Sequence, residues 1–252
     1  MKRTLFSLLF CLSFVLSGSV IAETLTVAVA PNVKYAFDDL QAEFKKETGI
    51  DITPVFSSSG KITAQVRHGA PFDIFMSADM GFPETLYKNG YAAEPPRIYV
   101  YGALVLWTMK DLDMGKGVEL LKDSTVKKVA MANPRAAPYG KEAIKVLKYY
   151  KLYDTVEPKL VYGEDVSQTS LYIASRAADI GLTAKSVVVS PEMKGKGKWI
   201  EIKKESYDPI AQGVVILKHG RVTNAVAAQR FHDFLFSPKA RAIFEHYGYV
   251  LP

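Results

Sequence analysis

Three serines and a glycine, Ser57-Ser58-Ser59-Gly60, stand where a β-rich stretch gives way to a helical pattern. Hydroxyls at such a seam cap a helix, and the glycine lets another backbone approach closely. Free N–H groups at a helix start, together with the helix dipole, also make a ready anion site. Taken alone, the run reads as an ordinary cap. The feature recurs, however. Ala30-Pro31-Asn32 opens another helix, Asn133-Pro134-Arg135-Ala136-Ala137-Pro138-Tyr139-Gly140 a third, and Tyr162-Gly163-Glu164-Asp165-Val166-Ser167 a fourth. Pro138 suits a first helical turn. Two starts fall in each of two groups of elements, and together they suggest a small anion held by neutral donors.

Other chemistries fit less well. Ser58-Ser59-Gly60-Lys61 matches S-x-x-K, in which a lysine activates a nucleophilic serine, but the accompanying S-D-N and K-T-G elements are absent. Gly60-Lys61 lacks the earlier glycine of a phosphate-binding loop. His68, His219, His232 and His246 are scattered without ligand spacing. Tyr149-Tyr150 is a pair that could serve a ferric ion, yet it sits mid-helix, where one ring packs and the other covers the surface. No Arg and acid pair for an amino acid stands at the helix starts. Asp73 and Asp79 read as loop-orienting residues, Lys61 and Arg135 as solvated charges or charges that shape the local potential. Glu164 and Asp165 read as acids favouring a positive helix end.

The elements that must position these residues alternate strand and helix. Leu25–Ala30 is a buried-strand run, and Val33, Phe37, Leu40 and Phe44 follow at helical spacing, stopped by Gly49. Strand 52–56, a helix over 60–68 and strand 73–77 repeat the unit, which implies a mostly parallel sheet with ligands at the carboxyl ends of its strands. A second group runs from about Leu104 to Gln212, with strands expected at 128–132, 180–183 and 199–202 and helices at 139–150 and 166–176. The groups are joined by apolar extended stretches, 98–108 and 210–217, which would make a stiff two-strand hinge. Helices at 224–236 and 238–246 close the chain.

Met1-Lys2-Arg3, an apolar run from Leu5 to Leu16 and small residues up to Ala22 read as a secretory signal. Cys11, the single cysteine, lies within it, so the mature chain can hold no disulfide, zinc-thiolate site or cysteine nucleophile. Without Lys2 and Arg3, 30 basic residues face 26 acidic ones, a net charge of +4. That mild, dispersed excess does not suggest nucleic acid as a partner, though it would modestly attract a small anion.

The succession LTVAVAPN, FSSSGKI, GAPFDIFMSAD, NPRAAPYGKEA and YGEDVSQ resembles the periplasmic molybdate-binding proteins of ABC transporters over essentially the whole mature chain. The resemblance implies an α/β, two-lobed periplasmic-binding-protein fold of type II, with two hinge strands and a ligand cleft between lobes. It implies a signal peptide over 1–22, lobe I over 23–103 plus 214–252, and lobe II over 104–213. It implies no enzyme and no cofactor, but a monomeric receptor that binds molybdate or tungstate and delivers it to an inner-membrane ABC permease. Carried over position by position, the oxyanion ligands are Asn32 and Ser59 from the first lobe, and the backbone N–H groups of Ala136 and Val166 from the second. A tyrosine that other members carry is here Ala184, and Tyr139 is expected to supply the hydroxyl instead. Sulfate, chromate or ferric ion stand as alternative ligands.

Overall fold

The computed structural model describes residues 24–252; the expected signal peptide lies outside the described residues. Strand β1 (Thr24–Val29) leads through a short 3-10 turn at Pro31–Val33 into helix α1 (Lys34–Thr48), which buries Ala36, Phe37, Leu40 and Phe44. Gly49 ends α1 with φ of 72°, a left-handed conformation in which a side chain would be strained. Strand β2 (Asp51–Phe56), helix α2 (Ser59–Arg67), strand β3 (Ile74–Met76) and helix α3 (Gly81–Lys88) follow, and β4 (Arg97–Gly102) completes the first pass.

After Ala103 the chain builds a second sheet. Its elements are β5 (Leu104–Thr108), β6 (Val129–Ala132), α4 (Pro138–Tyr149), α5 (Tyr153–Val156), β7 (Leu160–Gly163), α6 (Val166–Ala174), β8 (Ile180–Ala184), α7 (Lys185–Val189) and β9 (Lys198–Glu201). The chain returns as β10 (Ile210–Ile216) and ends in α8 (Lys218–Thr223), α9 (Ala225–Phe234) and α10 (Pro238–His246).

Each sheet has five strands, ordered β2-β1-β3-β10-β4 and β7-β6-β8-β5-β9. In the first, β2, β1 and β3 run parallel while β10 is antiparallel to both β3 and β4. In the second, β7, β6 and β8 are parallel and β5 opposes both β8 and β9. Pro54, which cannot donate to a ladder, lies on edge strand β2. The apolar run of β1 reflects burial on both faces, with Leu25, Val27 and Val29 in one core and Ala28 in the other. Phe37, Phe44 and Phe231 interlock in the first of these through edge-on ring contacts, each buried ring contributing on the order of 1.5–3 kcal/mol.

The second crossing differs from the expected boundary at 213. Ile210 already pairs with Gly102, so residues 210–213 belong to the first sheet and the crossing lies between Ile202 and Ile210. An apolar stretch flanking a crossing is consistent with either assignment; only its ladder partners decide. The crossing is braced by α4. Lys145 Nζ binds Glu142 at 2.8 Å and Asp208 at 2.5 Å, and Glu142 accepts from the Asp208 N–H at 2.9 Å. Strand β7 and helices α3, α5 and α7 were not evident from periodicity, being only four to eight residues long in α5, α7 and α3 or capped by polar flanks in β7.

Candidate functional site

The parallel strands aim their carboxyl ends, and therefore the starts of the helices that follow, toward the seam between the sheets. All four helix starts identified in the sequence meet there. Ala30, Pro31, Asn32, Ser58, Ser59, Ala78, Ala137, Pro138, Tyr139, Asp165 and Val166 line one small cavity of about 10 Å³, room for a single water-sized sphere. A groove of about 400 Å³ beside Tyr35, Leu171 and Met193 is larger but mainly apolar.

The halves are tied across the seam by direct bonds. Gly60 N–H donates to the Ala136 carbonyl at 3.0 Å, and Ser186 Oγ donates to the Asn32 carbonyl at 2.7 Å. Lys61 Nζ meets Glu164 Oε1 at 2.5 Å. The expected helix-end role of Glu164 is thus taken by Asp165 alone, whose Oδ1 accepts from Gln168 N–H at 3.0 Å as the cap of α6. With Lys61 turned to Glu164, and Ser58 Oγ accepting the Lys61 backbone N–H at 3.4 Å, the lysine is not placed as a base for either serine.

Ser59 is 1% exposed, and its Oγ accepts from Ala78 N–H at 3.1 Å, leaving its own hydrogen to give. Val166 N–H opens α6, where no intrahelical acceptor exists. Tyr139 is buried, and its hydroxyl accepts from Gln212 Nε2 at 3.0 Å. Burial, reinforced by the neighbouring Tyr249, Tyr99 and Tyr207, raises the Tyr139 pKa well above the usual phenol value, so the group stays neutral. Ala184 is buried, ending β8 opposite Leu104, and is not among the cavity-lining residues.

Two expected ligands are placed differently. Ala136 N–H turns back on the Asn133 carbonyl at 3.1 Å, and Ala137 N–H does the same at 2.9 Å, so neither is free. Since Pro138 has no N–H, the first free backbone donor of α4 is that of Tyr139. Asn32 lines the cavity, but its side-chain Nδ2 donates to Gln212 Oε1 at 2.8 Å and to Tyr249 Oη at 3.3 Å, and its Oδ1 is buried without a partner among the described residues. Its backbone N–H, in the first turn of the 3-10 segment, remains as a donor.

Sequence reasoning missed Gln212 and Tyr249. Gln212 is fully buried on β10, and Tyr249 donates its hydroxyl to the Asn32 carbonyl at 2.6 Å. Gly102 is the hinge residue that admits this arrangement: a Cβ there would lie 2.1 Å from Tyr139 Oη and 2.6 Å from Gln212 Nε2. The paired rings of Tyr149 and Tyr150 lie 5.1 Å apart, with Tyr149 exposed and neither at the cavity. Among the described residues no group of three His, Cys, Asp or Glu could hold a metal ion.

Two α/β lobes joined by two crossings, with helix starts from both lining a shared cleft, define a periplasmic-binding-protein fold of type II. The chain belongs to the bacterial extracellular solute-binding protein family, whose model matches residues 25–250. It is 38% identical over 236 residues to the molybdate-binding protein ModA of Rhodobacter capsulatus, covering 93% of this chain and 89% of that protein. Against ModA of Azotobacter vinelandii the identity is 35% over 231 residues, 91% of each chain. A solved structure of the Azotobacter vinelandii periplasmic molybdate-binding protein superposes with a TM-score of 0.84 at 34% identity, covering 90% of this chain and 99% of that one. The relatives are binding proteins, and this chain is a binding protein, not an enzyme.

Proposed function

We propose that this protein is a monomeric periplasmic receptor that binds molybdate, and also tungstate, and delivers it to an inner-membrane ABC permease. The observation that carries the reading is the convergence of donors from both lobes on one cavity: Ser59 and Tyr139 hydroxyls and the N–H groups of Asn32, Tyr139 and Val166. Molybdate and tungstate carry no hydrogen at neutral pH, so hydroxyl and N–H donors suit them. Hydrogen phosphate would need an acceptor for its proton. The names of the relatives favour molybdate over sulfate, and the leader sequence over 1–22 favours export.

The cavity lies between residues of both lobes that are bonded to each other across the seam. Entry and release therefore require the lobes to part about the crossings at Ala103 and between Ile202 and Ile210, and the closed form is what a permease would recognise. Calorimetric titration of the mature protein with molybdate, tungstate, sulfate and phosphate tests the reading. One-to-one binding of the first two, little affected by excess sulfate, supports it; binding of sulfate in preference, or of none of the four, overturns it.

A further inference from the structure

Gln212 bonds to three polar side chains at or behind the cavity. Its Oε1 accepts from Asn32 Nδ2 at 2.8 Å and from Tyr99 Oη at 3.0 Å, while its Nε2 donates to Tyr139 Oη at 3.0 Å. Asn32 and Tyr139 line the cavity, one from each lobe, and Gln212 stands between them across the first crossing. A phenol has one hydrogen. Because Tyr139 Oη accepts from the amide, that hydrogen cannot return to Gln212 and is directed elsewhere.

We propose that Gln212 is a positioning residue that fixes the direction of this hydrogen-bond chain, so that Tyr139 meets the bound oxyanion as a donor and the Asn32 side chain does not. The inference rests on the oxyanion reading of the cavity. Turning over both amides would reverse the chain: Gln212 would accept the Tyr139 hydrogen, and Asn32 Nδ2 would take the place of the unpartnered Oδ1. The two directions exclude one another, because only one of the two residues then has a hydrogen to give.

The tyrosines at the back hold the first direction. Tyr99 Oη lies closer to Gln212 Oε1, at 3.0 Å, than to its other acceptor, the Ser77 carbonyl, at 3.4 Å. Tyr249 gives its hydrogen to the Asn32 carbonyl at 2.6 Å and so presents a bare oxygen to Asn32 Nδ2. In the reversed chain that oxygen would face Asn32 Oδ1 with no hydrogen between them.

The test is molybdate titration of the wild type, Gln212→Glu, Gln212→Met, Tyr139→Phe, Asn32→Ala and the double variant Tyr139→Phe/Gln212→Glu, each first checked for a cooperative thermal transition. A carboxylate at 212 accepts only and captures the Tyr139 hydrogen, whereas methionine leaves the hydroxyl free to turn toward the ligand. Gln212→Glu is expected to weaken binding about as much as Tyr139→Phe, roughly tenfold to hundredfold for one donor to a buried anion. Gln212→Met should weaken it much less, and adding Gln212→Glu to Tyr139→Phe should cost little more. Full loss from Gln212→Glu in the Tyr139→Phe background would mark simple charge repulsion and overturn the proposal. A large loss from Asn32→Ala with little from Tyr139→Phe would assign the reversed chain and overturn it too. If the wild type binds no oxyanion, the functional reading falls, and this inference with it.

Discussion

Gly60 N–H donates to the carbonyl of Ala136 at 3.0 Å, joining the start of α2 in one lobe to the turn ahead of α4 in the other. The bond uses a first-turn donor of α2 and a turn carbonyl of the other lobe, and Ser59 and Tyr139 line the cavity beside it. Closure and ligand contact are thus set by adjacent residues, which is why changes at these positions should separate into effects on affinity and effects on folding.

Ser59→Ala removes one hydroxyl from the cavity and also leaves Ala78 N–H without its acceptor. Loss of a donor to a charged ligand should weaken molybdate binding by roughly 1.5–3 kcal/mol, and the orphaned N–H should lower stability by about 1–3 kcal/mol. Calorimetry and denaturant unfolding of the same sample measure the two. An unchanged affinity would remove Ser59 from the ligand set.

Gly102→Ala would place a Cβ 2.1 Å from Tyr139 Oη, at the point where the chain leaves the first sheet. Tyr139 must move or the lobes must stay apart. The expected result is weaker molybdate binding, with a larger radius of gyration for the liganded form in solution scattering than the wild type has.

Asp165→Ala deletes the cap of α6. Stability should fall by about 1 kcal/mol, read as a lower thermal midpoint. Val166 N–H would then sit on a fraying turn, and the affinity should fall with it. If the midpoint drops and the affinity does not, Val166 is not a ligand.

The tyrosines behind the cavity predict the alkaline limit of the fold. Burial raises Tyr99 and Tyr139 well above the phenol range and pushes Tyr249 up to about 12. In the unfolded chain each would ionise near pH 10. Their contribution is therefore complete below about pH 10 and is lost as pH rises from there toward the folded values, because the unfolded state gives up its protons first. Tyrosinate absorbance should show these three rings ionising together with unfolding above pH 10; ionisation in a still-folded protein would contradict their burial.

Much of the architecture was legible because strand, helix and cap each leave a local mark. The apolar run of β1, Gly49 after α1 and the serines before α2 are all explained by residues within one or two turns. What escaped notice depends on distance in sequence. Gln212 lies 180 positions from Asn32 and Tyr249 lies 217 from it, so no local pattern could reveal that they occupy the Asn32 amide and carbonyl. The Ala136 N–H was misjudged for a different reason. A turn of the form Asn133-Pro134-Arg135-Ala136 can present its N–H outward or fold it back on Asn133, and the residue types permit both. The entry of β10 at Ile210 was likewise set by its pairing with Gly102 and not by its composition.

The most direct measurement is a crystal structure of the mature protein grown with molybdate, located by the anomalous scattering of molybdenum. A donor-lined cleft predicts one strong peak between the lobes, with anion oxygens within hydrogen-bond distance of Ser59 Oγ, Tyr139 Oη and Val166 N. A peak at exposed lysines instead, or an anion held in that cleft by direct ion pairs with Lys61 or Arg135, would contradict it.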